Sequence, residues 1–398
     1  MRCSRTSTTC SCTATTPEGG PAAKRAPCSL GLVGSAADRA ENAPGEPVDT
    51  APQGGPGVAK VLLAAPRGFC AGVEMAIKAL AWMVRAFEAP VYCYHEIVHN
   101  QIVVRRFEDL GVVFVDDIAD VPPGRPIMLS AHGSAPEVVQ AARDTGGFVV
   151  DAVCPLVTKV HHEVKTRAAK GYDIVYVGHE GHEEAVGTMA VAPRAIHRVE
   201  SIEEVEALPA LETPVALLAQ TTLSHRDWAD VAEATRERFP ETWMPGRSDL
   251  CFATTNRQTA LLEIASRCDA VVVIGSANSS NTRALEKLAL EAGSPRVLRI
   301  NSAGELPRDL RGTVGVTAGA SAPEELVLSV IEALSPTEGV EEVRVTDEEE
   351  YFPPPRSLRE LLGAIDVVGS VGLGADPTAI PPVNDRKRGA SQVLAELA

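Results

Sequence analysis

Three of the nine cysteines share one local setting: each stands where an apolar run gives way to a helix-like one. They are Cys70 before Ala71-Gly72-Val73-Glu74, Cys154 before Pro155-Leu156-Val157-Thr158, and Cys251 before Phe252-Ala253-Thr254-Thr255. A cysteine at a helix start faces free backbone N–H groups and the positive end of the helix dipole, which favours the thiolate. Three thiolates brought to one point suit a soft metal centre. Their separations, 84 residues from Cys70 to Cys154 and 97 from Cys154 to Cys251, exclude short-loop zinc ribbons and ferredoxin-type runs. A four-iron cluster on three cysteines would keep one iron open as a Lewis acid and could deliver electrons. A three-cysteine zinc site is the inorganic rival, without redox chemistry.

Each cysteine opens a repeated module, and the repeat positions further polar residues. A second strand follows each helix (Pro90 to Tyr94, Asp173 to Val177, Ala270 to Ile274) and runs into a polar loop. These loops hold His99, then His182 with Glu184, then Ser279-Ser280-Asn281, with His99, His182 and Ser279 lying 29, 28 and 28 residues after their cysteines. A third strand (Ile127 to Leu129, Val215 to Leu218, Val314 to Val316) ends at His132, at Thr221-Thr222 and at Ser321. Strands alternating with amphipathic helices predict parallel α/β sheets, whose ligands sit at the carboxyl ends of the strands. Pseudo-threefold packing of the modules would ring the three cysteines with these side chains. Neutral donors at helix starts can hold phosphate without a P-loop. Glu184 is the one carboxylate of the set, and with His182 and Thr221 or Thr222 it forms a candidate proton relay.

Blander readings stand beside these. Loop histidines are commonly solvated, and Ser-Ser-Asn after a strand is also a helix cap. His161 and His162 read as packing or surface residues, and Cys93 and Cys268 as core thiols. The run His179 to Glu184 lacks the His-Glu-x-x-His spacing of a zinc box.

The formal charge of −16, from 37 basic and 53 acidic residues, argues against nucleic acid as the main partner. No apolar run is long enough to span a bilayer. Nine cysteines without a secretory signal imply a reducing compartment, hence the cytoplasm. Residues 1–57, Ser/Thr-rich and then Ala/Gly/Pro-rich, read as a disordered or targeting extension, and a plastid applies if they form a transit peptide. Cys3, Cys10, Cys12 and Cys28 fall there, outside the chemistry. The expected domains are 72–153, 154–250 and 251–350, the last completed by the strand within 60–71. Residues 356–398 read as a mostly flexible tail with a glycine-rich run (369–374) and a basic patch, Arg386-Lys387-Arg388. With no Walker loop and no dinucleotide fingerprint on a strand, electrons would come from a partner protein.

Taken together, several motifs resemble one family. They are Pro-Arg-Gly-Phe-Cys-Ala-Gly-Val (66–73), Glu-Ile-Val-His-Asn (96–100), Ser-Ala-His-Gly-Ser (130–134) and Cys-Pro-Leu-Val-Thr-Lys-Val-His (154–161). Gly-His-Glu-Gly-His-Glu-Glu (178–184), Gln-Thr-Thr-Leu-Ser (220–224), Cys-Phe-Ala-Thr-Thr-Asn-Arg-Gln (251–258), Asn-Ser-Ser-Asn (278–281) and Ala-Gly-Ala-Ser-Ala-Pro (318–323) complete the set. Over about Lys60 to Pro355 the chain resembles the 4-hydroxy-3-methylbut-2-enyl diphosphate reductases, which close the methylerythritol phosphate route to isoprenoids. The resemblance implies a trefoil of three α/β domains around a [4Fe-4S] cluster on Cys70, Cys154 and Cys251. It implies a small allylic diphosphate as substrate, held by His99, His132, His182, Thr221, Ser279, Ser280, Asn281 and Ser321. Glu184, His182 and Thr221 would be catalytic, and a ferredoxin or flavodoxin would supply electrons. Where the family usually carries proline this chain has Glu183, so two adjacent carboxylates compete for the acid role; Ala277 stands where lysine is frequent. A quinolinate-synthase-like dehydratase and a zinc- or cluster-bearing redox sensor are the rival readings.

Overall fold

A computed structural model describes residues 57–372 and 386–397. Expectations placed on residues 1–56 lie outside the described residues. The elements alternate as the apolar runs and helix periodicities require, and every sheet is wholly parallel. Strand β1 (Val58–Ala65) leads into helix α1 (Ala71–Ala86). Then come β2 (Val91–Tyr94), α2 (Gln101–Asp109), β3 (Val112–Val115), β4 (Ile127–Leu129), α3 (Pro136–Asp144) and β5 (Val149–Asp151). A second run holds α4 (Pro155–Ala169), β6 (Asp173–Val177), α5 (Glu183–Val191), β7 (Ile196–Val199), α6 (Ile202–Ala207), β8 (Val215–Ala219) and α7 (His225–Arg238). The third holds α8 (Phe252–Ala265), β9 (Ala270–Ile274), α9 (Ser280–Glu291), β10 (Val297–Ile300), β11 (Gly312–Ala318), α10 (Glu324–Leu334) and β12 (Val340–Arg344).

The strands form three sheets, ordered β3-β2-β4-β5, β7-β6-β8 and β10-β9-β11-β1-β12. Strands such as Ala270-Val271-Val272-Val273-Ile274 are buried along their whole length, as strands covered by helices on both faces must be. β1 lies between β11 and β12, with Val61 opposite Val314 on one side and Val340 on the other. The first strand of the chain is thus inside the last sheet, and it delivers the loop that ends in Cys70.

The described part of the region read as a flexible tail is instead built into the fold. It forms α11 (Arg356–Gly372) and α12 (Ala390–Leu397), and the glycine-rich run enters α11 as far as Gly372. Leu358, Leu362, Ala390, Val393 and Leu394 join the core around α1 and β2. Composition pointed the wrong way because the need lies elsewhere: α1 buries Ala71, Gly72 and Met75 through Met83, so it is covered nearly all round. A helix apolar on every side needs a second layer beyond its sheet. α12 provides part of it, and the Ala390 N–H caps onto Glu74 at 2.7 Å. Among the described residues no helix is long and apolar enough to cross a membrane.

Candidate active site

The carboxyl ends of β1, β2, β4, β6, β8, β9 and β11 lead into loops that reach one cleft, with a cavity of about 110 Å³. Cys70, Cys154, Cys251, His99, His132, His182, Glu184, Thr221, Ser279, Ser280, Asn281 and Ser321, all singled out from sequence, line it. Five helices aim their N-termini at it: α1, α4, α8, α5 and α9 begin immediately after Cys70, Cys154, Cys251, His182 and Ser279. The lining contains no lysine or arginine, so its positive potential comes from helix ends and neutral donors.

One backbone bond recurs three times and fixes the cysteines. The N–H of Cys70 donates to Ala320 O (3.2 Å), that of Cys154 to Ala131 O (3.0 Å) and that of Cys251 to Thr221 O (3.0 Å). Each cysteine therefore hangs on the loop that also carries Ser321, His132 or Thr221. Gly72 lets two cysteines close up, since a Cβ there would stand 2.9 Å from Cys154 Sγ and 3.9 Å from Cys70 Sγ. Burial, then the neighbouring Cys70, pushes the Cys154 thiol up to about 12 and the Cys251 thiol up to about 11. Helix ends act the other way but are outweighed; three clustered sulfurs ionise together only with a cation among them.

The two glutamates divide sharply. Glu184 is buried, and Thr221 donates to it twice, from N–H to Oε1 (2.7 Å) and from Oγ–H to Oε2 (3.0 Å). Burial outweighs both bonds and, with the charge of Asp249, raises Glu184 to about 7. Thr222 is held instead by Gln220 Nε2 at 2.8 Å. Glu183 faces away from the cleft, with a carboxylate oxygen 2.8 Å from His132 Nδ1. Burial resists its ionisation, but His132, His99 and His95 prevail and hold it at about 2.

His99 and His132 stack at 4.0 Å with planes 16° apart, and His182 meets both edge-on. The near-parallel stack sends the ring lone pairs along separate planes, so these two rings do not chelate one ion with Glu183. His182 Nδ1 accepts the Glu184 N–H (3.1 Å), which assigns its proton to Nε2. Burial, then His132 and His99, lowers His182 to about 3. Burial and His99 also lower His132. Ser279 caps α9, as the bland reading had it, while Ser280 Oγ accepts from Gln220 Nε2 (3.2 Å) and Ser321 Oγ–H donates to His99 O (3.0 Å). His99 Nε2 and both amide atoms of Asn281 are buried without a hydrogen-bond partner among the described residues, while His99 Nδ1 faces Glu96 Oε2 at 3.6 Å.

A sequence profile described as LytB protein matches residues 61–335. The chain belongs to the LytB family. A LytB relative in Rhodopirellula baltica, called 4-hydroxy-3-methylbut-2-enyl diphosphate reductase, is 47% identical over 306 residues, 75% of this chain and 96% of the relative. One in Mycobacterium bovis, called 4-hydroxy-3-methylbut-2-enyl diphosphate reductase 2, is 48% identical over 285 residues, 70% of this chain and 87% of the relative. Among solved structures, E-1-hydroxy-2-methyl-but-2-enyl-4-diphosphate reductase from Plasmodium falciparum superposes with a TM-score of 0.75 at 32% identity. That match covers 78% of this chain and all of the other.

Several residues at this LytB site escaped the sequence reading. Gln220 links the second and third modules by donating to Ser280 and accepting the His179 N–H at 3.0 Å. Phe252 and Phe352 form an apolar wall, their rings 6.5 Å apart. The strand-end position of Gln220 was a usable signal. Phe352 lay in a proline-rich stretch with none. Cys93 and Cys268 are buried away from the cleft, and His161 packs beside Gly133 while His162 is exposed.

Proposed function

We propose that this chain reduces 4-hydroxy-3-methylbut-2-enyl diphosphate to isopentenyl and dimethylallyl diphosphates, with a [4Fe-4S] cluster held by Cys70, Cys154 and Cys251. The observation that carries this reading is one cleft joining three cysteine-capped helices, unpartnered buried donors and one carboxyl poised to carry a proton at neutral pH. Three sulfurs that repel one another as thiolates, two of them beside a glycine that leaves them space, fit a resident metal–sulfur group. When bound, such a cluster would relay electrons one at a time from the external donor, two per turnover, and offer one iron free of protein thiolate as a Lewis acid.

The chain's own residues do the rest. His99, His132, Ser279, Ser280, Asn281 and Ser321, with the N-terminus of α9, bind the diphosphate and fix the allylic end toward the cysteines. The incoming anion favours protonated imidazoles, offsetting the burial that keeps His132 and His182 neutral. Glu184 arrives protonated, and its bond to Thr221 then reverses, so that the carboxyl donates to Thr221 Oγ and the threonine hydroxyl passes a proton into the cleft. His182 Nε2–H orients the substrate. The C–O bond breaks, one proton leaves with the hydroxyl as water, and the second proton with the two electrons from the donor forms the new C–H bond of the allyl unit, which balances the step. Phe252 and Phe352 keep bulk water from the reduced allyl unit.

A one-electron protein such as a ferredoxin or flavodoxin fits as reductant. The five described cysteines are all free, in keeping with a reducing compartment such as the cytoplasm. The test is iron and sulfide content with electron paramagnetic resonance of anaerobically purified protein, with and without substrate. A four-iron spectrum that changes on adding substrate supports the reading; stoichiometric zinc without iron after anaerobic reconstitution removes it.

A further inference from the structure

Outside the cleft, a partly exposed lysine and a buried arginine repeat one construction. Lys159 lies on α4, five residues after Cys154, and spends its three N–H donors on Arg247 O (3.0 Å), Ser248 O (3.0 Å) and Asp249 Oδ1 (3.1 Å). Those acceptors stand just ahead of Cys251. Asp249, its side chain fully buried, also accepts the Ala219 N–H at 3.1 Å, two residues before Thr221. Arg257 lies on α8, six residues after Cys251, and is 1% exposed. Its guanidinium reaches Gly68 O from Nε (3.0 Å) and Nη2 (2.7 Å), and Phe69 O from Nη2 (3.1 Å). Nη1 completes the set with Ala253 O (2.9 Å) and Glu348 Oε2 (2.9 Å). The Gly68 and Phe69 carbonyls stand just ahead of Cys70. Both cations thus use every donor they have.

The order is cyclic. The helix opened by Cys154 clasps the approach to Cys251, and the helix opened by Cys251 clasps the approach to Cys70. The third closure, from the helix opened by Cys70 onto Cys154, is the steric contact at Gly72. We infer that Lys159 and Arg257 are positioning residues for the cysteine triad, each holding the loop of the next cysteine so that the three sulfurs keep one spacing. Neither touches the cleft. Removing one partner of such a pair leaves a buried charge uncompensated, and partners one layer out from a metal commonly change its affinity by about 10- to 100-fold.

The inference rests on the cluster reading above, so the experiment separates the two. Anaerobically reconstituted parent, Lys159→Met, Arg257→Met, Lys159→Arg and the charge-balanced double Lys159→Met with Asp249→Asn are compared. Folding is checked by circular dichroism, iron release to excess chelator is timed, and the spectrum of the reduced cluster is recorded. The expected result is folded Met variants that release iron at least about tenfold faster with a shifted spectrum, and Lys159→Arg close to the parent. Release rates and spectra equal to the parent's overturn the assignment. So does loss of folding in all Met variants including the double, which would make the cations supports of the sheets alone. A parent that takes up no iron defeats the cluster reading instead. The clasps are then judged by the rate at which an oxidant forms a disulfide between two of the three thiols, and an unchanged rate in the Met variants overturns them.

Discussion

Replacing Glu184 by glutamine separates its two states, because the amide copies the protonated carboxyl: it can accept the Thr221 N–H and donate to Thr221 Oγ. The folded chain holds the Glu184 proton at about 7 against an ordinary 4.5, so native protein binds that proton more tightly than unfolded protein does. The stability this adds is intact below about pH 4.5 and is lost as the pH rises through about 7. At about 1.4 kcal/mol per pH unit, the gap between the two values is worth about 3 kcal/mol. Glu184→Gln should therefore match the parent near pH 4.5 and exceed it by about 3 kcal/mol above pH 8, while turnover is almost abolished. Anaerobic denaturant unfolding at a series of pH values reads this directly, and the protonated-carboxyl infrared band of the parent should fade through the same window. Parallel stability curves for parent and variant would refute the reasoning. So would parent-like turnover, since the proton would then come from elsewhere.

Serine at Cys70, Cys154 or Cys251 should each cost most of the iron, whereas alanine at Cys268 should leave iron content unchanged; metal analysis distinguishes them. Gly187→Ala places a Cβ 2.1 Å from the Gly133 carbonyl, which must shift the loop carrying His132. Overpacking of this kind costs about 1–3 kcal/mol, and inhibition by inorganic pyrophosphate should weaken roughly tenfold in a competition assay. Binding of pyrophosphate near pH 7 should take up on the order of one proton, because the anion reverses the depression of His132 and His182. Calorimetry in buffers of different ionisation heats measures the uptake, and equal heats in all buffers would contradict it.

What was legible in the sequence was local. The cysteines, histidines and serines singled out at strand ends and helix starts announce themselves by position, and Cys70, Cys154, Cys251, His99, His132, His182, Ser279, Ser280 and Ser321 all reach the cleft. What stayed hidden depends on depth and on distant partners. Glu183 and Glu184 are neighbours in sequence, yet one is paired with His132 at the edge of the site and the other is sealed under Thr221. Lys159 and Arg257 look like ordinary helix-surface cations until the carbonyls of another module close on them. α12 was concealed by a glycine-rich, proline-rich approach. The cue was in α1, whose run from Met75 to Met83 is too apolar for a helix with only a sheet behind it.

The place of β1 has a consequence for how the protein is made. Both of its sheet neighbours, β11 and β12, are synthesised about 250 residues later, and non-local pairings of this kind form only once the late strands exist. As the ribosome works, Cys70 emerges early on a loop with nothing to hold it. Arg257 and the Ala320 carbonyl that will fix it follow 187 and 250 residues later. Loading of iron and sulfide is then an event of the finished chain, and a nascent chain halted before residue 312 should retain neither, as iron analysis of stalled chains would reveal. Until release, the cell must guard three bare thiols.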